Sequence, residues 1–421
     1  MSTAANGSGP TTAPRPISVE ADPADLGFDP ARLARVDEHF RRYVDDGRLA
    51  GWQAVVARRG QVVHASEYGL RDEEAGLPVE ADTRWRIYSM TKPITSVAAL
   101  ILWERGLLEL TDPISRWLPA FAEPRVYVKG SSTAPLTIPS PEPIRVWHLL
   151  THTAGLTYGF HHAHPVDELY RARGFEWGVP AGFDLAACVD AWAEMPLVHT
   201  PGTEWNYSHA TDVLGRLVEV VSGQSLDTFL QTEILDPLGM TTTGFAADDP
   251  SRTAALYALG PGRTRVRADA MGEPFLRPPT WLSGGGGMVS TAANYHRFVQ
   301  MLVRGGELDG VRLLGSRTVA YMGRNHLPGG RDLEQVGRPL FAEMPFHGVG
   351  FGLGVSVVLD PAAYRTLASA GEMAWGGAAS TAFWVDPTEE VTALFLTQLL
   401  PSSAYPIRSR LRSLVYQALV D

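Results

Sequence analysis

Residues 51–70 read GWQAVVARRGQVVHASEYGL: two short apolar runs on either side of Arg59-Gly60. Runs of this length around an X-Gly pair predict two antiparallel strands joined by a tight turn. Just before them, residues 30–47 place Leu33, Val36, Phe40 and Tyr43 at the spacing of one helix face. Strand patterns then fade and do not return until the end of the chain. There GVGFGLGVSVVLD (348–360), STAFWVD (380–386) and VTALFLTQL (391–399) follow one another, each closed by Pro, Gly or Asp-Pro, before a final helix over Ile407–Val420. Helix–strand–strand opens the chain and strands–helix close it. The simplest assembly is an α+β fold in which both ends share one antiparallel sheet flanked by N- and C-terminal helices. The stretch between is richer in Pro, Gly, His and Trp, with helix patterns at Thr211–Ser222 (stopped by Gly223), Leu226–Leu235 and Ala292–Arg304. It is expected to be a mostly helical insertion. The expected organisation is a disordered tail over 1–18, one domain from 19–115 plus 345–421, a second over 116–344, and an active site in the cleft between them.

The bulk numbers bound the function. The chain has 421 residues, a formal charge of −10 and one cysteine, Cys188. An acidic chain with scattered arginines is a poor partner for nucleic acid or an anionic membrane. One cysteine allows no intramolecular disulfide and no cysteine-based metal site. The first residues carry no apolar core of a signal peptide, and no apolar run approaches the length of a membrane span. A soluble cytoplasmic protein is expected; its oligomeric state is not readable.

Lys92 and Lys129 are the only lysines among 36 basic residues. Lys92 stands in Ser89-Met90-Thr91-Lys92, at the predicted start of a helix running to Leu107. Serine and lysine three apart share one helix face. A serine hydroxyl is a poor nucleophile until a base takes its proton; a buried lysine can act as that base, whereas arginine never gives up its own. The helix N-terminus favours the negative charge that develops in acyl transfer. The pair alone is weak evidence, because any Ser and Lys meet at this spacing by chance. An α/β-hydrolase would need a G-x-S-x-G elbow, and no serine of the chain has one.

Six ordered segments carry more: SMTKPITS (89–96), LLTHTAGL (149–156), PGTEWNYSH (201–209), ILDPLGM (234–240), GGGMVST (285–291) and WGGAAST (375–381). In these the chain resembles the serine β-lactamase and penicillin-binding-protein superfamily, in particular class C β-lactamases and family VIII carboxylesterases, from about residue 25 onward. The resemblance implies a β-lactamase-like fold and a cofactor-free acyl-enzyme mechanism. It makes Ser89 the nucleophile, Lys92 its partner and Tyr207 the phenol that relays protons. The Ser89 and Ala378 N–H groups would form the oxyanion hole, and Trp375, Gly376 and Gly377 would line the substrate site where lactamases carry Lys-Thr-Gly. His209 stands where lactamases carry the asparagine of Tyr-x-Asn and is expected to face the substrate. Tyr158, Phe160, Tyr170, Phe175 and Trp177 are expected to form a mobile aromatic wall over the cleft. His152 is expected to be structural, and Gly284–Gly287 a turn that at most lines the cleft. His161, His162 and His164 lack the spacing of a metal-binding helix, and no metal is expected.

Two departures shape the substrate. Trp375 removes a cation that would recognise a substrate carboxylate, and His209 removes an amide. Both point to small-molecule neutral esters, short-chain or bulky. A β-lactamase, a D-amino-acid peptidase or amidase, and an acyltransferase would use the same residues. A non-catalytic ligand-binding member would have lost Ser89, Lys92 or Tyr207, and all three are present.

Overall fold

The computed structural model describes residues 16–338 and 346–421. Of the tail expected over 1–18, all but the last three residues lie outside that range. The principal sheet has eight strands: β1 Gly51–Arg58, β2 Gln61–Asp72, β3 Leu77–Pro78, β4 Val349–Phe351, β5 Ser356–Val358, β6 Met373–Gly376, β7 Ala382–Asp386 and β8 Val391–Leu396. Their spatial order is β4-β5-β6-β7-β8-β1-β2-β3, and every neighbouring pair is antiparallel. The two ends of the chain meet at the β1–β8 seam, where Gln53 pairs with Leu396 and Arg58 with Val391. Arg59 and Gly60 both have positive φ (51° and 79°), the conformation a two-residue hairpin turn requires.

The period of two along each strand sorts side chains into two cores. Trp52, Ala54 and Val56 of β1, Ala393 and Phe395 of β8 and Trp384 of β7 face outward. There they meet Val36, Phe40 and Tyr43 of α1 (Arg35–Asp45) and, at the other end of the chain, Ile407, Leu411 and Val415 of the C-terminal helix Ile407–Tyr416. Val55, Ala57, Phe383, Val385, Leu394 and Leu396 face inward, against α2 (Thr91–Glu104) and the helices of the middle region. From Thr91 to Leu102 every residue of α2 is buried, as expected of a helix enclosed on all sides. Beside α2 pack α3 (Ala210–Ser222), ended by Gly223 at φ 71°, and α4 (Ala292–Val303). α4 docks on the sheet itself: Gln300 Nε2 donates to Thr392 Oγ1 at 2.8 Å, and the Tyr295 and Phe383 rings lie 5.4 Å apart. The C-terminal helix, α5, completes a helix–sheet–helix sandwich.

The middle is less uniformly helical than its composition suggested. A hairpin, Arg125–Ser131 with Ala134–Pro139, projects from it with Val128, Leu136 and Ile138 exposed. Its prolines and glycine hid the alternation of its apolar residues. Leu226–Leu235 is one α-helical turn followed by a wider π-helical one.

Candidate active site

Tyr88–Met90 form a single 3₁₀ turn that runs into α2. Tyr88 has φ 44°, a region bulky side chains rarely occupy, at a cost of about 1–3 kcal/mol. This kink presents Ser89 at the surface of a cavity while Lys92, one turn on, is 1% exposed. Pro93 falls in the first helical turn, where its missing N–H costs nothing. The turn is tethered from outside: Tyr295 Oη donates to Met90 O (2.9 Å), Met288 N to Thr91 Oγ1 (3.2 Å) and Thr95 Oγ1 to Gly284 O (2.8 Å).

Lys92 Nζ has three oxygens around it: Gly285 O at 2.7 Å, Tyr158 Oη at 3.0 Å and Ser89 Oγ at 3.2 Å. A carbonyl can only accept, and the phenol can accept a second N–H. A neutral amine then has its lone pair left for the Ser89 proton. Burial, then Tyr207 and Asp212, push the Tyr158 phenol well above its ordinary pKa, so it remains a neutral partner. Gly285 is held in turn by Asp212, whose Oδ1 accepts from Gly285 N (3.0 Å) and Ser283 Oγ (2.6 Å). A Cβ on Gly285 would come within 2.6 Å of Asp212 Oδ2, so only glycine fits. Asp212 is fully buried. Burial alone would raise its pKa, but the His209 N–H, the Lys92 charge and the Ser283 hydroxyl together hold it below the usual carboxylate range.

Tyr207 sits across from Lys92, whose Nζ lies 4.5 Å from the ring centroid. Trp375 Nε1 donates to Tyr207 Oη at 3.3 Å, and His161 Nε2 donates to Tyr207 O at 2.7 Å. The His152 ring packs 4.8 Å from the Tyr207 ring, and its Nδ1 contacts Ser208 Oγ at 3.3 Å. Burial, then the Lys92 charge, keeps the His152 imidazole neutral, its pKa well below the ordinary value.

Ser89 and Tyr207 share an open cavity with Trp375, Gly376, Gly377 and Ala378. The turn after β6 passes the serine closely: a Cβ on Gly377 would lie 2.4 Å from Ile87 O. Among the described residues neither Ser89 N–H nor Ala378 N–H has an acceptor, so both are available to an oxyanion. Phe160 and Trp177 stack at 4.5 Å and form one wall of the cavity.

The structure moves three of the five expected residues off that wall and turns His209, expected to face the substrate, away from the cavity. Tyr158, Tyr170 and Phe175 are buried, and Tyr158 stands behind Lys92 rather than over the cleft. His209 does not face the cavity. Its ring stacks 4.1 Å from Trp192 and meets Tyr158 edge-on at 4.3 Å, and its Nδ1 donates to Asp212 Oδ2 at 3.1 Å. An aromatic ring at this position is drawn into the aromatic core, where the shorter polar side chain it replaces would not be. Burial lowers the His209 pKa, against the pull of Asp212. Gly284–Gly287, expected to be a lining turn at most, instead supplies the carbonyls beneath Lys92 and Thr95. His161, His162 and His164 face different partners: Tyr207 O, Glu176 Oε1 and Val166 N. Among the described residues no group of three or more His, Cys, Asp or Glu could hold a metal ion. Sequence reasoning missed the Tyr158 hydroxyl, the Gly285 carbonyl and Asp212 as partners of the lysine. The glycine run at 284–287 was the available signal, since four adjacent residues without Cβ mark a close approach.

Comparison with known proteins agrees with this geometry. The Beta-lactamase family model matches residues 36–417. Protein Rv1367c of Mycobacterium tuberculosis is 39% identical over 368 residues, covering 86% of this chain and 89% of its own. Esterase EstB of Burkholderia gladioli is 34% identical over 419 residues, covering 94% and 98%. Among solved structures, "EstCE1, a hydrolase with promiscuous acyltransferase activity" superposes with a TM-score of 0.78 at 27% identity, covering 92% of this chain and 99% of the other.

Proposed function

The chain belongs to the β-lactamase family, and within it we propose a carboxylesterase of the family VIII type that works through a Ser89 acyl-enzyme. The observation that carries this reading is the Lys92 amine, buried and in contact with Ser89 Oγ while its other partners are neutral oxygens. Lys92 takes the Ser89 proton as Oγ attacks the ester carbonyl. The carbonyl oxygen becomes an oxyanion that accepts from the Ser89 and Ala378 N–H groups and lies near the positive end of α2. Tyr207, at the opposite side of the amine, passes the proton to the departing alkoxide, leaving the acyl group on Oγ. Water then gives its proton back along the same path and adds to the acyl carbon, and Ser89 leaves as the free alcohol.

Trp375 supports a preference for esters that are neutral next to the reacting carbonyl, since an indole cannot pair with a carboxylate there. Similarity to EstB and EstCE1 supports hydrolysis of esters. The acyltransferase activity that EstCE1's description carries supports a second reading, in which an alcohol takes the place of water. The substrate is a small molecule, not nucleic acid. No helix among the described residues is long and apolar enough to cross a membrane, and the single buried Cys188 suits a reducing cytoplasm.

Intact-mass measurement after brief exposure to p-nitrophenyl acetate or butyrate tests the reading. An acyl adduct on the native chain and none on Ser89→Ala is the expected result. Turnover of these esters should exceed that of nitrocefin by orders of magnitude. Equal turnover of the two would return the protein to the β-lactamases.

A further inference from the structure

The site encloses one ionisable group that the mechanism leaves unused. Asp212, in the first turn of α3, is 1% exposed, and three groups donate to its carboxylate. Gly285 N (3.0 Å) and Ser283 Oγ (2.6 Å) reach Oδ1, and His209 Nδ1 (3.1 Å) reaches Oδ2. Of the three donors only His209 is able to carry charge, and its geometry opposes it. His209 Nε2 is buried without a partner, so a second ring proton would have no acceptor. Asp212 is thus a buried anion held by neutral donors, at a helix end that favours negative charge.

The groups that face Lys92 from the surrounding elements carry no second anion. His152 and His161 are held below their ordinary pKa, first of all by burial, and the Tyr158 phenol well above its own. Tyr207 turns its ring face to the amine. The Cys188 thiol is pushed up to about 12 by burial and then by the Asp212 charge. Lys92 Nζ and Asp212 Oδ1 bind the two ends of the same residue, the O and the N of Gly285. The carboxylate therefore stands close to the amine without touching it.

We propose that Asp212 is a charged positioning residue of the esterase, whose negative charge steadies the ammonium that Lys92 becomes during acylation. This rests on the esterase reading and deepens it. As Ser89 Oγ bonds to the ester carbon, the carbonyl π pair moves onto its oxygen and the Oγ proton passes to the Lys92 lone pair. A cation appears where the hydrogen-bonding partners are all neutral, and a nearby buried anion lowers the cost of that step. A carboxylate in direct contact would keep the proton on the amine. One residue away, it helps the proton arrive and still lets it leave.

The competing reading is that Asp212 only holds the 283–285 turn in place, and two variants separate the hold from the charge. Asp212→Asn keeps an oxygen for Gly285 N and Ser283 Oγ but is neutral. Its acylation burst with p-nitrophenyl acetate should fall about 100-fold, with the melting temperature within about 5 °C of native. Ser283→Ala loosens the turn and leaves the charge, and should cost about three-fold at most. In Asp212→Asn the low-pH limb of the kcat/KM profile should also move down by about one pH unit, because an ammonium without its anion sheds its proton more readily. A purely structural defect lowers the profile without moving it. A burst within about three-fold of native in Asp212→Asn, an unmoved limb, or an equal loss in Ser283→Ala overturns the proposal.

The charge is also read without catalysis, which decides the matter even if Asp212→Asn alone does not fold. Lys92→Met leaves Asp212 buried with no cation beside it, so adding Asp212→Asn to that variant should raise its melting temperature. A double variant no more stable than Lys92→Met overturns the pairing. Native protein that turns over no ester, with the double variant still rescued, would sink the esterase reading and keep the charge pair. Ester turnover unaffected by Asp212→Asn would do the reverse.

Discussion

Two of the buried cations of this molecule, Arg412 and Lys92, have surroundings that differ in kind. Arg412 is paired: Glu372, itself fully buried, holds its Nε at 2.9 Å, and Tyr416 in turn donates to Glu372. Lys92 is equally enclosed, yet its three hydrogen-bonding contacts are a carbonyl, a phenol and a hydroxyl, while the Asp212 carboxylate hydrogen-bonds Gly285 N rather than the amine. A guanidinium against a carboxylate is fixed as a charge. An amine among neutral oxygens is free to exchange a proton. The chain uses arginine for nearly every cation, and under the proposed mechanism Lys92 stands where a proton has to move.

The largest expected effect comes from making the two sites alike. Lys92→Arg conserves charge but removes the exchangeable proton, and its acylation burst with p-nitrophenyl acetate should fall to the Ser89→Ala background with the fold retained by circular dichroism. A native-rate burst in that variant would erase the distinction between the two cations. Next is Tyr207→Phe, expected to lower kcat by roughly 10²–10⁴ with little change in melting temperature. Unchanged kcat with a lower melting temperature would make Tyr207 a packing residue. On the structural side, Arg412→Met strands Glu372 as an unpaired buried acid, and urea unfolding should show a loss of about 3–5 kcal/mol. Adding Glu372→Gln should restore at least half of it, and a double variant no more stable than the single one would show that the pair is not what matters. The smallest effect is expected for Tyr158→Phe, which takes one neutral oxygen from Lys92 and should slow acylation about ten-fold. If Tyr158→Phe matched Lys92→Arg in severity, the phenol would belong to the reaction path itself.

What was legible in the sequence follows the range of the forces involved. The two apolar runs of residues 51–70 and the Arg59-Gly60 turn are local, and they carry the start of the sheet. Ser89 and Lys92 were legible because one helical turn brings them together. Tyr158 and Gly285 meet Lys92 across separations of 66 and 193 residues, through a hydroxyl and a backbone carbonyl whose direction no side-chain pattern encodes. His209 was misplaced for a similar reason. Position in a motif suggested a cleft residue, while the rings of Trp192, Tyr170 and Tyr158, scattered along the chain, drew it inward.

The β1–β8 seam sets a timetable for synthesis. The hairpin of β1 and β2 leaves the ribosome early, but the edge of β1 that pairs with Val391–Leu396 has no partner until almost the whole chain exists. At ~5–20 residues per second, the roughly 330 residues in between keep that edge open for tens of seconds. Ser89 and Lys92 are made in the first quarter of that period, whereas Gly377 and Ala378, which complete the site, come near its end. The nascent chain therefore carries Ser89 without the strand that completes its surroundings, and until then the open edge of β1 is the segment most exposed to pairing with another strand.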